Sequence, residues 1–236
     1  MSVKQSVKQS VKPSLKPYYT LDETVEIGVD EVGRGPMFGR VYACAVILPR
    51  DNSFKHELMK DSKKFTSHKK LEETAKYIKE HCVSFAFGYE DEASIDAHNI
   101  KNATYMAMHK AIKQLVDTSS SGKPEYRILV DGNDFKPYTY IDPINEIINE
   151  VPVVCIIGGD NIQSSIAAAS ILAKVERDNY IGELCKQYPK LDEHYDLGKN
   201  KGYGTAKHMA GIQHHGITQW HRKSFGLCKD AIVTMF

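Results

Sequence analysis

Apolar residues along the chain fall into short runs that alternate with polar and glycine-rich segments. Runs at residues 25–29, 41–48 and 81–89 predict three strands, close enough in sequence to pair as an antiparallel unit. Two further runs, at residues 126–130 and 152–157, predict short strands that each run into a glycine-containing turn. The pattern therefore predicts five strands.

Two longer segments have the periodicity of helices. Residues 98–116 repeat alanine, methionine and leucine on one side, and residues 162–180 are rich in small residues that allow close packing on a sheet. Strands that come first, followed by alternating strands and helices, predict an α/β domain with a mixed sheet. The end of the chain is predicted to consist of helices and loops.

The N-terminal segment differs from the rest of the chain. A four-residue unit repeats from Ser2 to Pro17, and its copies carry the lysines at positions 4, 8, 12 and 16. Such a polar, low-complexity sequence cannot bury enough apolar surface to offset its ordering entropy. We expect residues 1–20 to form a disordered tail, with weak polyanion binding as an alternative role. Residues 21–190 then form the main domain and residues 191–236 a helical extension.

Composition and charge limit the classes of partner and the cell compartment that the sequence supports. The chain has 236 residues and a net charge of +1, and setting aside the four repeat lysines reduces the 31 basic residues to 27, against 30 acidic ones. A nucleic-acid site on the folded part would therefore need a local basic patch. The five cysteines include no Cys-x-x-Cys pair, which favours free thiols in a reducing compartment over disulfides or a zinc site. With no bilayer-length apolar run and no signal-peptide core, we expect a cytoplasmic protein without a membrane partner.

Carboxylates follow three of the predicted strands. Asp30 and Glu31 follow the first strand, Asp131 the fourth and Asp160 the fifth, each near glycine. Ligands of open α/β sheets gather beyond strand ends, and four converging carboxylates would repel one another without a cation. Such oxygen ligands suit Mg²⁺ or Mn²⁺, and two ions can hold the attacking water and the leaving oxygen of a phosphate.

Two points qualify this metal-site hypothesis. An Asp-Gly pair taken alone is equally typical of a turn, and it is the three together that favour a metal site. Neighbouring strand residues point to opposite faces, so Asp30 and Glu31 can share one site only if the first strand ends or bulges there.

Six motifs occur in a fixed order. They are IGVDEVGRGP at residues 27–36, DSKK at 61–64, LVDGN at 129–133, IAAASILAKVERD at 166–178, KGYGTxxH at 201–208 and HRKSF at 221–225. Together they resemble the signature blocks of the ribonuclease HII family over nearly the whole chain. One short motif is weak support, but six collinear motifs argue strongly against coincidence.

The resemblance implies a ribonuclease H-like fold, with a five-stranded mixed sheet flanked by helices and a small C-terminal helical extension that contributes to substrate binding. It implies an endonuclease that hydrolyses the RNA strand of RNA–DNA hybrids. The enzyme would also cut 5′ to single ribonucleotides embedded in duplex DNA, leaving a 3′-hydroxyl and a 5′-phosphate. Roles in ribonucleotide removal from DNA and in RNA primer removal follow.

The motifs also assign residues by resemblance. Asp30, Glu31, Asp131 and Asp160 correspond to the catalytic carboxylates of a two-metal site for Mg²⁺ or Mn²⁺. The segment Gly33, Arg34 and Gly35 corresponds to the reader of the 2′-hydroxyl, and Tyr203 to the aromatic that packs on the DNA-side sugar. The expected phosphate contacts are Ser62, Lys63, Lys64, Lys174, His221, Arg222 and Ser224.

Alternatives remain for some of these residues. Lys174 is also spaced for an ion pair with Asp178, and the histidines at positions 208, 214, 215 and 221 are interpreted as surface or backbone-contacting residues. Gly158 stands where the family often has a lysine, and Arg40 is considered as a replacement for that charge.

Three other identities are compatible with parts of the sequence. Ribonuclease HIII, a non-catalytic hybrid-binding protein and a recombinase of related fold are the alternatives. Arg34, Tyr203 and the full set of carboxylates argue against them. Residues 229–236 lack the glutamine and paired aromatics with which some relatives bind a sliding clamp, so we expect a monomer without that partner.

Overall fold

The computed structural model describes residues 15–116, 124–142 and 146–234. The strands are β1 (Val25–Val32), β2 (Val41–Ile47), β3 (Ser84–Glu90), β4 (Tyr126–Asp131), β5 (Thr139–Ile141), β6 (Ile148–Glu150) and β7 (Val153–Ile156). The helices are α1 (His68–His81), α2 (Glu92–Lys113), α3 (Ser164–Gln187), α4 (Lys190–Tyr195), α5 (Leu197–Asn200) and α6 (Ala206–His215). Short 3-10 turns lie at His56–Leu58, Ser62–Lys64, Gly159–Asn161 and Gly226–Asp230.

Five strands form one sheet in the order β3-β2-β1-β4-β7. The pairs β1–β2 and β2–β3 are antiparallel, whereas β1–β4 and β4–β7 are parallel. This confirms the mixed five-stranded sheet and its N-terminal antiparallel unit. Strands β5 and β6 form a separate hairpin that the sequence did not predict, because three residues each give too little periodicity to detect.

Helices cover both faces of the sheet because successive strand residues point to opposite sides. Ile27 and Val29 of β1 belong to one apolar cluster with α2, whereas the alanines of α3 pack in a second cluster on the other face. Gly28 faces α3 so closely that a Cβ would lie 2.2 Å from the backbone carbon of Ser165. The small residues of α3 therefore allow this helix to lie directly on β1.

Helix α2 begins earlier than its pattern predicts and is interrupted. Asp91 caps its start, accepting a hydrogen bond from the backbone N–H of Ser94 at 2.8 Å. Asn99 breaks it with φ +63°, and its side chain accepts from the backbone N–H groups of Lys101 and Asn102. Asn99 thus caps a second helical segment, which corresponds to the one predicted from residue 98 onward.

Part of the predicted tail is docked on the domain. Residues 1–14 lie outside the described residues, but Lys16 forms a parallel bridge with Gln163, and its backbone bonds Ile162 and Ser164. Leu15 packs against the apolar cluster beneath α1 and α3. The expectation of disorder up to residue 20 is corrected for this stretch, because pairing with a neighbouring backbone supplies the contacts that its composition lacks.

The C-terminal helices share a core with the sheet domain. Leu191 and Tyr195 of α4 pack with Ile181 of α3 and with Phe38 from the segment after β1. Phe38 also forms an isolated bridge with His221. The extension is therefore built onto the segment that follows β1. In the described part of the chain, no helix has the length and apolar character needed to cross a membrane.

Candidate active site

Three carboxylates from different parts of the sheet meet at one edge. Asp30 lies in β1, Asp131 is the last residue of β4, and Asp160 lies in the turn that follows β7. One ligand atom from each lies within 4.8 Å of the other two. The structure thus brings together three of the four carboxylates that the sequence singled out.

Glu31 is separated from this group by strand geometry. Strand β1 pairs with β2 as far as Val32, so Asp30 and Glu31 point to opposite faces. Oε1 of Glu31 lies 3.4 Å from Nη1 of Arg34. The first strand therefore does not end after Val29 as predicted, and only its pairing with β4 stops there.

The turn after β7 fixes Asp160 relative to Asp131. Gly158 has φ +65°, a left-handed conformation that favours glycine. The backbone N–H of Gly159 donates to Oδ1 of Asp131 at 2.7 Å, and a Cβ on Gly159 would lie 2.6 Å from Ile166. A tight backbone turn therefore carries Asp160 to the end of β4.

Burial and mutual repulsion disfavour negative charge in this cluster. The pKa of Asp30 is raised well above its ordinary value by burial and by the charges of Glu31 and Asp131. Burial, together with Asp61 and Asp131, raises the pKa of Asp160, and burial also raises the pKa of Glu31. Clustered carboxylate oxygens that repel one another are the donor set that suits a hard divalent cation.

A cleft of about 240 Å³ gives access to the cluster on the Glu31 side. Glu31, Arg34 and Asp131 line it, together with residues of α2 and of the loop after β4. Lys101 of α2 and Asp134 of that loop form an ion pair in its wall. Asp131 therefore connects the cluster to a polar cleft that holds both signs of charge.

The DSKK segment lies on the α3 side of the cluster. Oγ of Ser62 is 3.1 Å from Oγ of Ser170, and the Ser170 hydroxyl partly opposes the rise in the pKa of Asp30. Nζ of Lys64 donates to Asn161, which is adjacent to the third carboxylate, and Lys63 is exposed. Ser62 and Lys64 therefore contact residues that adjoin the carboxylate cluster.

Two other predicted phosphate contacts already have protein partners. Nζ of Lys174 lies 2.7 Å from Oδ1 of Asp178, so the ion pair considered as the alternative is present. Ser224 is exposed, and its hydroxyl and backbone N–H both donate to Asp96. Either residue must give up or share these bonds to contact a phosphate.

The predicted 2′-hydroxyl reader lies next to Tyr203. Gly33 is buried with φ +92°, and a Cβ there would lie 2.3 Å from Nε of Arg177. Arg34 and Gly35 are exposed, and a Cβ on Gly35 would lie 3.5 Å from Cε1 of Tyr203. Because Tyr203 is 45% exposed, its ring is available to pack against a sugar or a base.

Two residues predicted to contact phosphates are instead buried. Arg222 is 0% exposed and His221 is 1% exposed, so neither side chain reaches a duplex outside the protein. Arg222 donates to backbone carbonyls of the segment that follows β1. That part of the prediction is wrong, because a short basic motif does not reveal which of its side chains point inward.

Sequence reasoning missed Arg177, and of the two interpretations given for His208 the structure shows a buried, backbone-contacting residue. Arg177 is 0% exposed and donates to three backbone carbonyls from two loops. The available signal was its position on α3, between buried apolar residues four places before and after it.

Nδ1 of His208 lies 3.0 Å from the carbonyl oxygen of Tyr203, and its Nε2 lies 3.2 Å from Nε2 of His221. Burial lowers the pKa of both histidines, that of His221 to about 3.

Arg40 does not replace the lysine that the family often has at position 158. Its guanidinium lies over the rings of Tyr89 and Tyr180, 4.2 and 4.6 Å from their centres. Nη1 also lies 3.5 Å from the hydroxyl of Tyr42. The charge is therefore held within a group of tyrosines, and the replacement hypothesis is wrong.

Comparison with known proteins places this site in a family. The chain matches the sequence profile of Ribonuclease HII over residues 27–228. It is 43% identical over 209 residues to ribonuclease HII of Phocaeicola vulgatus, covering 89% of this chain and 92% of that protein. It is also 43% identical over 217 residues to ribonuclease HII of Bacteroides thetaiotaomicron, covering 92% and 97% respectively. The chain belongs to the ribonuclease HII family.

Solved structures similar to this chain are more distant in sequence. Ribonuclease H2 of Pyrococcus horikoshii superposes with a TM-score of 0.64 at 21% identity, over 87% of this chain and 95% of that one. Ribonuclease HII of Archaeoglobus fulgidus, solved in a complex with PCNA, gives 0.64 at 24% identity, over 86% and 95%. Bst-RNase HIII, solved with Mn²⁺, gives 0.58 at 19% identity, over 83% and 71%. These likenesses show the ribonuclease H-like fold.

Membership in the ribonuclease HII family makes the chain a ribonuclease H, an endonuclease that acts on RNA–DNA hybrids with divalent metal ions. The resemblance found in the sequence motifs is therefore confirmed. The cluster of Asp30, Asp131 and Asp160 is compatible with the metal requirement.

Proposed function

We propose that this protein cuts the RNA strand of hybrids and also cuts 5′ to single ribonucleotides in duplex DNA, leaving a 3′-hydroxyl and a 5′-phosphate. The observation that carries the proposal is the meeting of Asp30, Asp131 and Asp160 within 4.8 Å. The 2′-hydroxyl reader and the exposed ring of Tyr203 lie together beyond the end of β1, the strand that carries Asp30. A duplex bound across both would present one phosphate to the carboxylates.

The three clustered carboxylates are the proposed ligands of two divalent ions, Mg²⁺ or Mn²⁺. When bound, such ions activate the attacking water and stabilise the charge on the leaving oxygen. We propose Glu31 as a fourth ligand, because it lines the same cleft as Asp131 and its bond to Arg34 is a long 3.4 Å contact. Release of that contact would free one oxygen of Glu31.

The substrate contacts follow from position. Gly33, Arg34 and Gly35 are the proposed readers of the 2′-hydroxyl, the group that distinguishes RNA from DNA. Tyr203 is the proposed platform for the sugar on the DNA side. Phosphate contacts are assigned to the exposed or half-buried residues Ser62, Lys63, Lys64, Lys174 and Ser224. His221 and Arg222 leave this set because they are buried.

In the cell, this activity would remove ribonucleotides from DNA and RNA primers from replicating strands. We propose that the protein acts as a monomer in the cytoplasm, as expected for a DNA-associated enzyme with bacterial relatives. A complex with a sliding clamp belongs to the Archaeoglobus fulgidus protein and is not proposed for this chain.

The test compares two labelled substrates. One is a DNA duplex with one embedded ribonucleotide, and the other is a full RNA–DNA hybrid, each with Mg²⁺, Mn²⁺ or a chelator. We expect metal-dependent cutting of both, with the lone ribonucleotide cut on its 5′ side. Cutting of the hybrid alone would favour specificity of the ribonuclease HIII kind, and binding without cutting would favour a hybrid-binding protein.

A further inference from the structure

One buried guanidinium holds the backbone of the predicted 2′-hydroxyl reader. Nη2 of Arg222 donates to the carbonyl oxygen of Gly33 at 2.6 Å, and Nη1 donates to those of Arg34 at 3.1 Å and Pro36 at 2.7 Å. Nε donates to the carbonyl oxygen of Gly39 at 2.8 Å. Arg222 is 0% exposed, so these four bonds form away from water.

The direction of each carbonyl fixes the direction of the N–H group in the same peptide. In a trans peptide the C=O of one residue and the N–H of the next point in opposite directions. The carbonyls of Gly33 and Arg34 point at Arg222, so the N–H groups of Arg34 and Gly35 point away from it. No described residue accepts a hydrogen bond from either N–H, and both residues are exposed.

The peptide between Pro36 and Met37, later in the same loop, shows what lies on the side opposite Arg222. The carbonyl of Pro36 also points at Arg222, and the N–H of Met37 on the same peptide donates to the carbonyl of Gly202 at 2.9 Å. Gly202 immediately precedes Tyr203. The side of the loop opposite Arg222 is therefore the side on which Tyr203 stands.

A second buried guanidinium joins the two loops. Arg177 donates to the carbonyl oxygens of Phe38 at 3.0 Å and Arg40 at 3.1 Å, and to that of Lys201 at 2.9 Å. We call Arg177 and Arg222 the arginine clamp. These hydrogen bonds of the two arginines all go to backbone carbonyl oxygens. Some of these carbonyls belong to the segment after β1 and one, that of Lys201, belongs to the loop of Tyr203.

Two neutral histidines form a chain of hydrogen bonds that ends at the backbone carbonyl of Tyr203. The N–H of Thr218 donates to Nδ1 of His221 at 2.9 Å, so the ring proton of His221 is on Nε2 and is donated to Nε2 of His208. His208 then carries its proton on Nδ1 and donates it to the carbonyl of Tyr203, 3.0 Å away. The motif containing His221 and Arg222 thus contacts the reader segment directly and the loop of Tyr203 through His208.

We propose that Arg222 is a positioning residue for ribonucleotide recognition: it aims the N–H groups of Arg34 and Gly35 outward, where a 2′-hydroxyl oxygen accepts from them. The inference rests on the proposed function, since it assigns a chemical basis to the selectivity of that site. A guanidinium suits this task because its donors have a fixed planar geometry, whereas a lysine ammonium has three donors on a flexible stem. Arg222→Lys therefore keeps the charge and loses the alignment.

The first experiment measures binding to two DNA duplexes that differ only in one 2′-hydroxyl. The parent protein carries Asp131→Asn, so that with Mg²⁺ it binds without cutting. We expect it to bind the ribonucleotide duplex about tenfold more tightly than the all-DNA duplex, as two modest hydrogen bonds would give. Adding Arg222→Lys should reduce that preference to less than about twofold.

Arg50→Lys is the matched control. Arg50 also donates to two backbone carbonyls, those of Thr24 and Thr20, both at 2.7 Å, but it does so before the start of β1, away from the cluster. Its replacement should weaken the fold without changing the tenfold preference. A general loss of structure would lower binding to both duplexes alike, so the ratio separates positioning from stability.

A second measurement needs no change at Arg222. In the parent protein, the amide hydrogens of Arg34 and Gly35 should exchange rapidly with solvent and slow at least tenfold on binding the ribonucleotide duplex, but not the all-DNA duplex. A parent protein that binds both duplexes equally contradicts the proposed junction reading, and the inference with it. A parent that prefers the ribonucleotide, with Arg222→Lys keeping the full preference or with these amides unprotected, overturns the inference alone.

Discussion

The carboxylate cluster and the arginine clamp both bury charge, and they differ in what compensates it. Asp30 is 5% exposed and Arg222 is 0% exposed. Arg222 meets four backbone carbonyls, whereas Asp30 meets the like charges of Glu31 and Asp131. Carbonyl oxygens of the protein compensate the charge of Arg222, whereas a bound cation would relieve the repulsion within the cluster. A buried charge alone thus does not mark a reactive site, and mutual repulsion among buried like charges does.

The largest expected effect is the loss of turnover in Asp131→Asn. Asparagine keeps an oxygen that accepts from the N–H of Gly159, so the turn should survive while a metal ligand charge is lost. Cleavage should fall on the order of a thousandfold, the loss of several kcal/mol of transition-state stabilisation, with substrate binding retained. Single-turnover cleavage and filter binding check this.

Asp134→Asn is the control for that experiment. Asp134 lies in the loop that begins directly after Asp131, is exposed and forms an ion pair with Lys101. Its replacement should leave the cleavage rate within about twofold of the original, because an exposed ion pair contributes little. Retained turnover in Asp131→Asn would remove Asp131 from the catalytic set.

The second effect concerns stability and distinguishes the two regions directly. Arg222→Met should lower the free energy of unfolding by about 3 kcal/mol or more, because it leaves buried carbonyls without donors. Arg34→Met changes a side chain that is 53% exposed and should stay within about 0.5 kcal/mol. Urea unfolding monitored by circular dichroism measures both. Equal stability of the two variants would show that the clamp is not structural.

The third effect is the selective loss in Tyr203→Ala. A lone ribonucleotide offers one binding register, so removing the exposed ring should lower its cleavage about tenfold, the scale of one stacking contact. Long hybrids offer many registers and should lose less. Tyr203→Phe keeps the ring and should behave like the original protein. Equal losses on both substrates would show that Tyr203 does not read the junction.

The smallest expected effect is a gain in stability for metal-free Asp30→Asn. Because the folded-state pKa of Asp30 is raised, its contribution to stability is present at low pH and is lost as pH rises from 3.8, its ordinary value, through the raised value. The variant has no ionisable group at this position, so its stability does not fall in this way. Near pH 7 it should be more stable than the original protein by on the order of 1 kcal/mol, or about 2–4 °C in Tm. Thermal melts with a chelator at pH 5 and pH 8 check the sign. A variant that is less stable at pH 8 would mean that repulsion does not dominate at this residue.

The strands and the converging carboxylates could be predicted because local patterns encode them. Apolar runs marked all five strands of the sheet, and the glycines after them marked the turns that carry Asp131 and Asp160. The end of β1 could not be predicted, because β2 extends the pairing to Val32 and leaves Glu31 on the opposite face.

The burial of Arg222 and the docking of Lys16 were also beyond sequence reasoning. Each depends on a partner far away in the chain: Arg222 on the carbonyls after β1, and Lys16 on the backbone beside Gln163. The HRKSF motif suggested a phosphate contact for Arg222, and the composition of the repeat suggested a disordered tail for Lys16. The deciding quantity was the location of acceptors in the folded protein, which composition does not contain.

The central claim is that Asp30 of β1, Asp131 at the end of β4 and Asp160 in the turn after β7 form the metal centre. Titration calorimetry of Mn²⁺ binding to the original protein, Asp131→Asn and Asp134→Asn tests it without any substrate. We predict binding to the original protein and to Asp134→Asn with similar affinity, and at least a tenfold weaker affinity in Asp131→Asn. Equal Mn²⁺ affinity in all three proteins would contradict the claim and place the metal elsewhere.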